Sequence, residues 1–286
     1  MRTPLPRWLW LPVGAALLFL VVPLVGVGVR LPWGRLPELL SAQASLDALS
    51  LSLRTCFAST AISVLLGCPL ALALARARGA WAAVARVLTM LPMVLPPVVA
   101  GLALLVTLGR RGLLGASLSA FGVEIGFTTV AVVIAQAFVS MPYLVIALEG
   151  ALRTSPAGFE SAAAVLGATP TYVLRRVTLP LLGPALASAT ALAFARAFGE
   201  FGATLTFAGS LQGTTRTLPL EIYLQRETDP DSALALSVVL IGLAIVVVGG
   251  AGWLTRLTQT SEGGPSERRR RGRRADVGVP DRAGAS

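Results

Sequence analysis

The chain has 286 residues, 55% hydrophobic and 13% charged, with 24 basic against 14 acidic residues and a formal net charge of +10. A soluble domain carries roughly a quarter charged residues, so one large water-soluble core is excluded and lipid is the expected solvent. Lysine and histidine are both absent. That removes the lysine of a phosphate-binding loop, a lysine Schiff base, histidine zinc sites and a Ser-His pair. The chain is therefore expected to be no enzyme, to hold no metal and no cofactor, and to leave any ATP hydrolysis to another subunit.

Apolar blocks near the roughly 20 residues that a helix needs to cross hydrocarbon fall at 8–29, 51–75, 87–108, 127–148, 181–208 and 233–254. Lipid offers no partner to unpaired backbone groups, so all six are predicted to be transmembrane helices. The expected fold class is all-α, a polytopic membrane helix bundle. The first block follows Arg2 and Arg7, is interrupted by Pro12 and Pro23, and lacks a small-x-small cleavage site. It also exceeds the roughly 7–15-residue core of a signal peptide, and is read as a retained span. Cys56 and Cys68 lie twelve positions apart in the second block, roughly 18 Å along a helix. A disulfide needs Cα atoms within about 7 Å, so they are read as packing residues.

Arginine placement orients the chain. With the N-terminus inside, Arg2, Arg7, Arg76, Arg78, Arg86, Arg153, Arg175, Arg176 and Arg256 are cytoplasmic, against Arg30, Arg35, Arg110, Arg111, Arg216 and Arg226 outside. This bias follows the positive-inside rule, and an even number of spans puts both termini in the cytoplasm.

Between the fourth and fifth spans, 149–180 is patterned like structure. Ser155-Pro156 offers a cap and a first-turn proline. Phe159, Ala162, Ala163 and Leu166 recur at helical spacing, Gly167 is placed to end the helix, and Thr169-Pro170 starts a second. Two short helices are expected. Their apolar stripe is either ordinary helix packing or a face that a soluble partner or the membrane surface covers.

On the fifth span, Arg196 and Glu200 stand one turn apart. They are read either as a self-satisfied pair holding helices together or as part of a pathway or gate, since ionisable groups at membrane depth face a cavity or a partner helix. Gly199, Gly202, Pro92, Pro96 and Pro97 mark places where helices bend or approach closely. Asp47, Asp229, Asp231, Asp276 and Asp281 all lie outside the predicted spans, which excludes an intramembrane aspartyl dyad. The sparse acids also argue against the proton relay of a secondary transporter or channel. The stretch 258–286, with Arg268, Arg269, Arg270, Arg271, Arg273 and Arg274, reads as a disordered basic tail touching solvent or lipid headgroups rather than nucleic acid.

Glu160-Ser161-Ala162-Ala163, Gly167, Val177 and Leu179-Pro180 resemble the cytoplasmic signature of bacterial ABC importer permeases: Glu-Ala-Ala, three residues, Gly, nine residues, an Ile-like residue, one residue, Leu-Pro. The departure is Ser161 in the Glu slot, with Glu160 one place earlier. Segments 192–209, 215–223, 91–101 and 109–112 resemble the molybdate permeases of that family, and sulfate permeases share the Gly199-Glu200-Phe201-Gly202 stretch in weaker form. The resemblance implies a type I permease fold, with a first helix and periplasmic loop at 1–50, a core at 51–257 and the tail beyond. It implies a coupling helix carrying Phe159, Glu160, Ser161, Ala162, Ala163, Leu166 and Gly167, and a pathway or gate near Arg196, Gly199, Glu200, Gly202 and Thr204. The implied partners are an ABC ATPase subunit, a periplasmic oxyanion-binding protein, a second copy of the chain and membrane lipid, in the bacterial inner membrane. Arg110 and Arg111 are read as a solvated turn, or as an attraction for an anion or for an acidic edge of the binding protein. Molybdate is the expected cargo, with sulfate or tungstate as the alternative.

Overall fold

The computed structural model describes residues 6–154 and 158–262, and every regular element among them is helical. In chain order these are α1 (Trp10–Arg30), α2 (Leu36–Ser41), α3 (Gln43–Arg76), α4 (Ala80–Val94), α5 (Pro97–Leu108), α6 (Gly115–Ala120), α7 (Thr129–Thr154), α8 (Gly158–Val165), α9 (Pro170–Val173), α10 (Leu179–Phe198), α11 (Gly202–Ala208), α12 (Leu218–Thr228) and α13 (Pro230–Glu262). Five helical runs are long and apolar enough to cross a membrane: α1, α3, α7, Pro170–Phe198 and α13.

The third predicted span, 87–108, is corrected to a broken one, because α4 and α5 meet at a bend of 112°. Pro96 has no N–H to continue the ladder, and it pushes Leu95 into an extended conformation at φ −63°, ψ 135°. The fifth, 181–208, is corrected likewise: α10 stops at Phe198 and α11 begins again at Gly202. At the loop end, α9 is not a free short helix, since a π-helical turn at Leu174–Thr178 runs it directly into α10.

α3 is longer than the sequence pattern suggests. Its 34 residues span roughly 51 Å, well beyond an approximately 30 Å hydrocarbon core, and it passes unbroken through the 50/51 boundary that the resemblance implies. Arg54, exposed on α3, therefore lies roughly 33 Å from Arg76, at the far edge of the hydrocarbon rather than in its centre. The helix α13 continues to Glu262, past Thr258. The Ser155-Pro156 start and the Arg268–Arg274 cluster lie outside the described residues.

The bundle is organised on α3 against α7. The buried side of α3 is a seam of small residues: Ser45, Ala48, Ser52, Thr55, Cys56, Ser59, Ser63, Gly67 and Ala71. In lipid there is no hydrophobic drive between helices, so close approach of small side chains supplies the packing. A Cβ on Gly67 would sit 3.1 Å from Leu144 Cδ2 and 3.2 Å from Val145 Cγ2, and Ser63 Oγ lies 3.3 Å from Ser140 Oγ across the seam. The two cysteines are both free. By contrast α1 has no buried residue, and it is flanked by Trp8, Trp10 and Trp33 as an interfacial belt would be.

Candidate functional site

The loop helix α8 ends as its glycine predicts. Gly167 adopts φ +83°, a left-handed conformation that side chains resist. Its N–H donates to Ala164 O at 3.0 Å while Ala168 N–H donates to Ala163 O at 3.1 Å, the paired bonds of a Schellman end. Thr169 then caps α9 by accepting from Tyr172 N–H at 3.4 Å. Ahead of these turns the chain presents bare apolar surface: Phe159 is 61% exposed, Val165 87% and Leu166 86%. Ser161 and Ala162 are exposed with them, whereas Ala163 is half-buried.

Glu160 points the other way. Its Oε1 accepts from Thr178 Oγ1 at 2.6 Å, and its carboxylate takes Arg76 Nη2 at 3.1 and 3.3 Å. One acidic side chain thus ties α8 to the last turn of α3 and to the π-turn that feeds α10. The Arg76 and Glu160 side chains are 55% and 36% exposed, so the ion pair itself is worth less than about 1 kcal/mol; the geometry it fixes matters more than its energy.

A second cluster sits beside it. Arg86 on α4 donates from Nη2 to the carbonyls of Leu74 (2.7 Å) and Ala77 (3.3 Å), closing the end of α3, and from Nε to Glu149 Oε1 at 2.7 Å. Arg153 reaches the same Glu149 oxygen at 2.9 Å. Glu149 is buried, so it needs these two cations. Sequence reading placed Glu149 at the start of a loop and counted Arg76, Arg86 and Arg153 only for orientation. The Glu149/Arg153 spacing of one turn was the one visible signal; the contacts to α3 and α4 are tertiary.

At the break between α10 and α11 the structure brings most of the remaining predicted residues together. Glu200 lies beyond the end of α10 rather than on it, yet its Oε2 pairs with Arg196 Nη1 at 2.7 Å and its Oε1 accepts from Ala203 N–H at 2.8 Å. It therefore serves as the cap of α11 as well as the counter-ion of Arg196, whose guanidinium also lies 5.9 Å from the Tyr143 ring centre. Gly199 is the exposed C-cap of α10. Gly202 and Gly101 allow α11 to lie directly on α5. A Cβ at Gly202 would meet Pro97 Cβ at 2.7 Å, and one at Gly101 would meet Ala203 O at 2.7 Å and Thr206 Cβ at 2.8 Å. Thr204 on α11 is fully buried, and its hydroxyl makes no hydrogen bond with a described residue.

Toward the far end, Arg110 pairs with Glu124 at 3.2 Å and both are exposed, as a solvated turn requires. Asp229 caps α13, with Oδ2 accepting from Ser232 Oγ at 2.7 Å. That hydrogen bond holds its carboxyl below the usual carboxylate range. No group of three or more metal-ligating side chains occurs among the described residues.

With this geometry in place, comparison with known proteins is informative. The sequence profile of the family described as binding-protein-dependent transport system inner membrane component matches residues 63–258, taking in α8, the Glu149 cluster and the α10–α11 break. The chain is 58% identical over 250 residues to the molybdenum transport system permease protein ModB of Mycobacterium tuberculosis, covering 87% of this chain and 95% of that one. It is 41% identical over 176 residues to ModB of Escherichia coli, covering 60% and 77%. The fold matches a crystal structure of a bacterial ABC transporter involved in import of the acidic polysaccharide alginate, at TM-score 0.65 and 19% identity over 87% of this chain and 93% of that chain. The architecture is that of a type I ABC importer permease, and the chain belongs to the family of binding-protein-dependent transport system inner membrane components.

Proposed function

We propose that this chain is the membrane-spanning permease of an ATP-driven importer of molybdate. The observation that carries the importer class is α8: a short helix with an apolar exposed face, ended by Gly167 at φ +83° and braced to two spanning helices through Glu160. Such a face needs a cover, and an ATPase subunit receiving Phe159, Ala162, Val165 and Leu166 supplies one. Ser161 joins that exposed face, while Glu160 and Ala163 hold it to the bundle. The cargo reading is supported by the relatives, which are molybdenum transport system permease proteins.

On this reading the loop end is cytoplasmic and both termini lie on that side. Two copies of the chain enclose the pathway, and a periplasmic oxyanion-binding protein delivers cargo at the opposite end. ATP is hydrolysed by the separate subunit, whose closure moves α8. Movement reaches the bundle through the Glu160 ties, and the breaks at Leu95-Pro96 and at 199–201 give α5 and α11 their freedom to open. Arg196, Gly199, Glu200, Gly202 and Thr204 thereby belong to a hinge beside the pathway rather than to a site binding the dianion, since a carboxylate on its route would repel it.

The test is ATPase activity of the chain reconstituted in lipid with its ATPase subunit and binding protein, titrated with molybdate, tungstate and sulfate. Stimulation at far lower molybdate than sulfate is expected. If the complex assembles but sulfate alone stimulates it, the cargo assignment is wrong; if no ATPase subunit associates, the importer reading itself fails.

A further inference from the structure

Between α1, α12 and α13 lies a cavity of about 720 Å³, within the roughly 300–1,000 Å³ of small-ligand sites. Its walls are Val27, Ile222, Leu234, Leu240 and Ile241; of its two hydroxyl-bearing residues, Tyr223 lies under Arg226 and Ser237 already donates to Ala233 O at 2.7 Å. The depth of the cavity offers a soluble anion nothing to bind. Along α13 its lining runs from Pro230 to Ile241, roughly 16 Å of helix. That is about half of an approximately 30 Å hydrocarbon core, so the cavity is one leaflet deep.

Charge is confined to the water end. The charged residues that line the cavity are Arg30, the last residue of α1, and Arg226, in the last turn of α12. Arg30 has no ion-pair or hydrogen-bond partner among the described residues. Arg226 lies 5.0 Å over the Tyr223 ring and touches Glu227, which does not line the cavity. The nearby acids are otherwise engaged, Asp231 by Arg35 at 3.0 Å and Asp229 by Ser232. An apolar slot one leaflet deep, with two guanidiniums at headgroup level, matches an amphiphile with acyl chains and a phosphate.

We propose that this cavity binds one anionic phospholipid from the leaflet opposite the 149–180 loop, the outer leaflet in the orientation given above. Gly199 and Phe201 also line it, and these are the residues on either side of Glu200. A lipid chain in the slot packs against the α10–α11 break and restrains it, so occupancy sets how readily α11 moves.

The full permease–ATPase complex is purified in mild detergent, and bound lipid is counted by native mass spectrometry after equilibration with phosphatidylglycerol or phosphatidylcholine. One phosphatidylglycerol is expected per permease chain. In the R30Q/R226Q variant its affinity should fall roughly thirtyfold, the combined effect of two cations at a membrane surface, with assembly unchanged because both side chains are exposed. Ser237→Phe, which fills the slot, should abolish binding without touching either arginine. Equal retention of phosphatidylcholine, or phosphatidylglycerol retention that neither variant alters, overturns the site and identifies annular lipid. A cross-link from Ile241→Cys to a second copy of the chain overturns it in favour of a protein occupant. The readout involves no transported ion, so it stands or falls separately from the cargo assignment.

Discussion

Glu200 carries two duties at one position, and substitutions can separate them. Its side chain is 1% exposed and that of Arg196 24%. Removing one partner of a buried pair costs about 3–5 kcal/mol when the other charge stays unpaired. Partial solvation of Arg196 lowers this, while loss of the α11 cap adds about 1 kcal/mol, so Glu200→Ala should destabilise the chain by about 2–4 kcal/mol. Glu200→Gln keeps an oxygen for Ala203 N–H and should lose about half as much, because only the charge is gone. Arg196→Met with Glu200→Gln leaves no charge unpaired and should recover part of the loss, giving a coupling of about 1–2 kcal/mol in a double-mutant cycle. Unfolding by SDS titration in mixed micelles, followed by tryptophan fluorescence, measures all four states. Single effects that simply add, within about 0.5 kcal/mol, would refute the pair as a coupled unit. Indifference to Glu200→Ala would refute the cap as well.

Other substitutions test the remaining parts. Gly167→Val places a β-branched residue at φ +83°, which costs about 1–3 kcal/mol locally; it should impair association with the ATPase subunit, measured by co-purification, while leaving the helical circular dichroism intact. Gly101→Val drives a side chain into Ala203 and Thr206, and transport should fall to background because α5 and α11 can no longer seat together. Glu149→Gln leaves Arg86 and Arg153 without their shared counter-ion and should lower stability by about 1–3 kcal/mol in the same SDS assay. Asp229 has a carboxyl lowered in the folded state, so its contribution is present at neutral pH and disappears as pH falls below the ordinary Asp value of about 3.9. The stability difference between wild type and Asp229→Asn should accordingly shrink on acidification across that range, and a constant difference would argue against it.

The spans and the loop were legible because each is written in local sequence: long apolar blocks, a glycine where a helix must end, a proline after a cap. The α8 stripe from Phe159 to Leu166 and the stop at Gly167 needed nothing beyond spacing. The break inside 87–108 was signalled by Pro92, Pro96 and Pro97, but hydropathy does not register bends, so two half-helices read as one. The same averaging joined α10 to α11, where apolar residues continue on both sides of Glu200. Arg76 with Glu160, and Arg86 with Glu149, were beyond reach because their partners are 84 and 63 positions apart. The α3 seam was available as a run of Ser, Thr, Ala and Gly at helical spacing, a pattern that hydrophobicity scoring discounts.

The positions of the small residues decide which parts of the bundle can move relative to one another. Along α3 they recur from Ser45 to Ala71, and against α7 they meet at Ser63 with Ser140 and at Gly67 with Leu144 and Val145, so a shift along this seam would disrupt several packed side chains at once. On α5 and α11 the closest approach is at Gly101 and Gly202, and both elements begin immediately after a backbone break. They are packed on each other and on α7, and the chain joins them to α4 and α10 through Leu95-Pro96 and residues 199–201. Opening between α5 and α11 would uncover Ala203, whereas moving the pair together keeps that contact but shears both against Ala131, Val132, Ala135 and Val139 of α7, with which they share a buried cluster. The packing therefore ties α5 and α11 to α7 as well as to each other, and any bend at Leu95-Pro96 or at residues 199–201 has to be absorbed within that shared core.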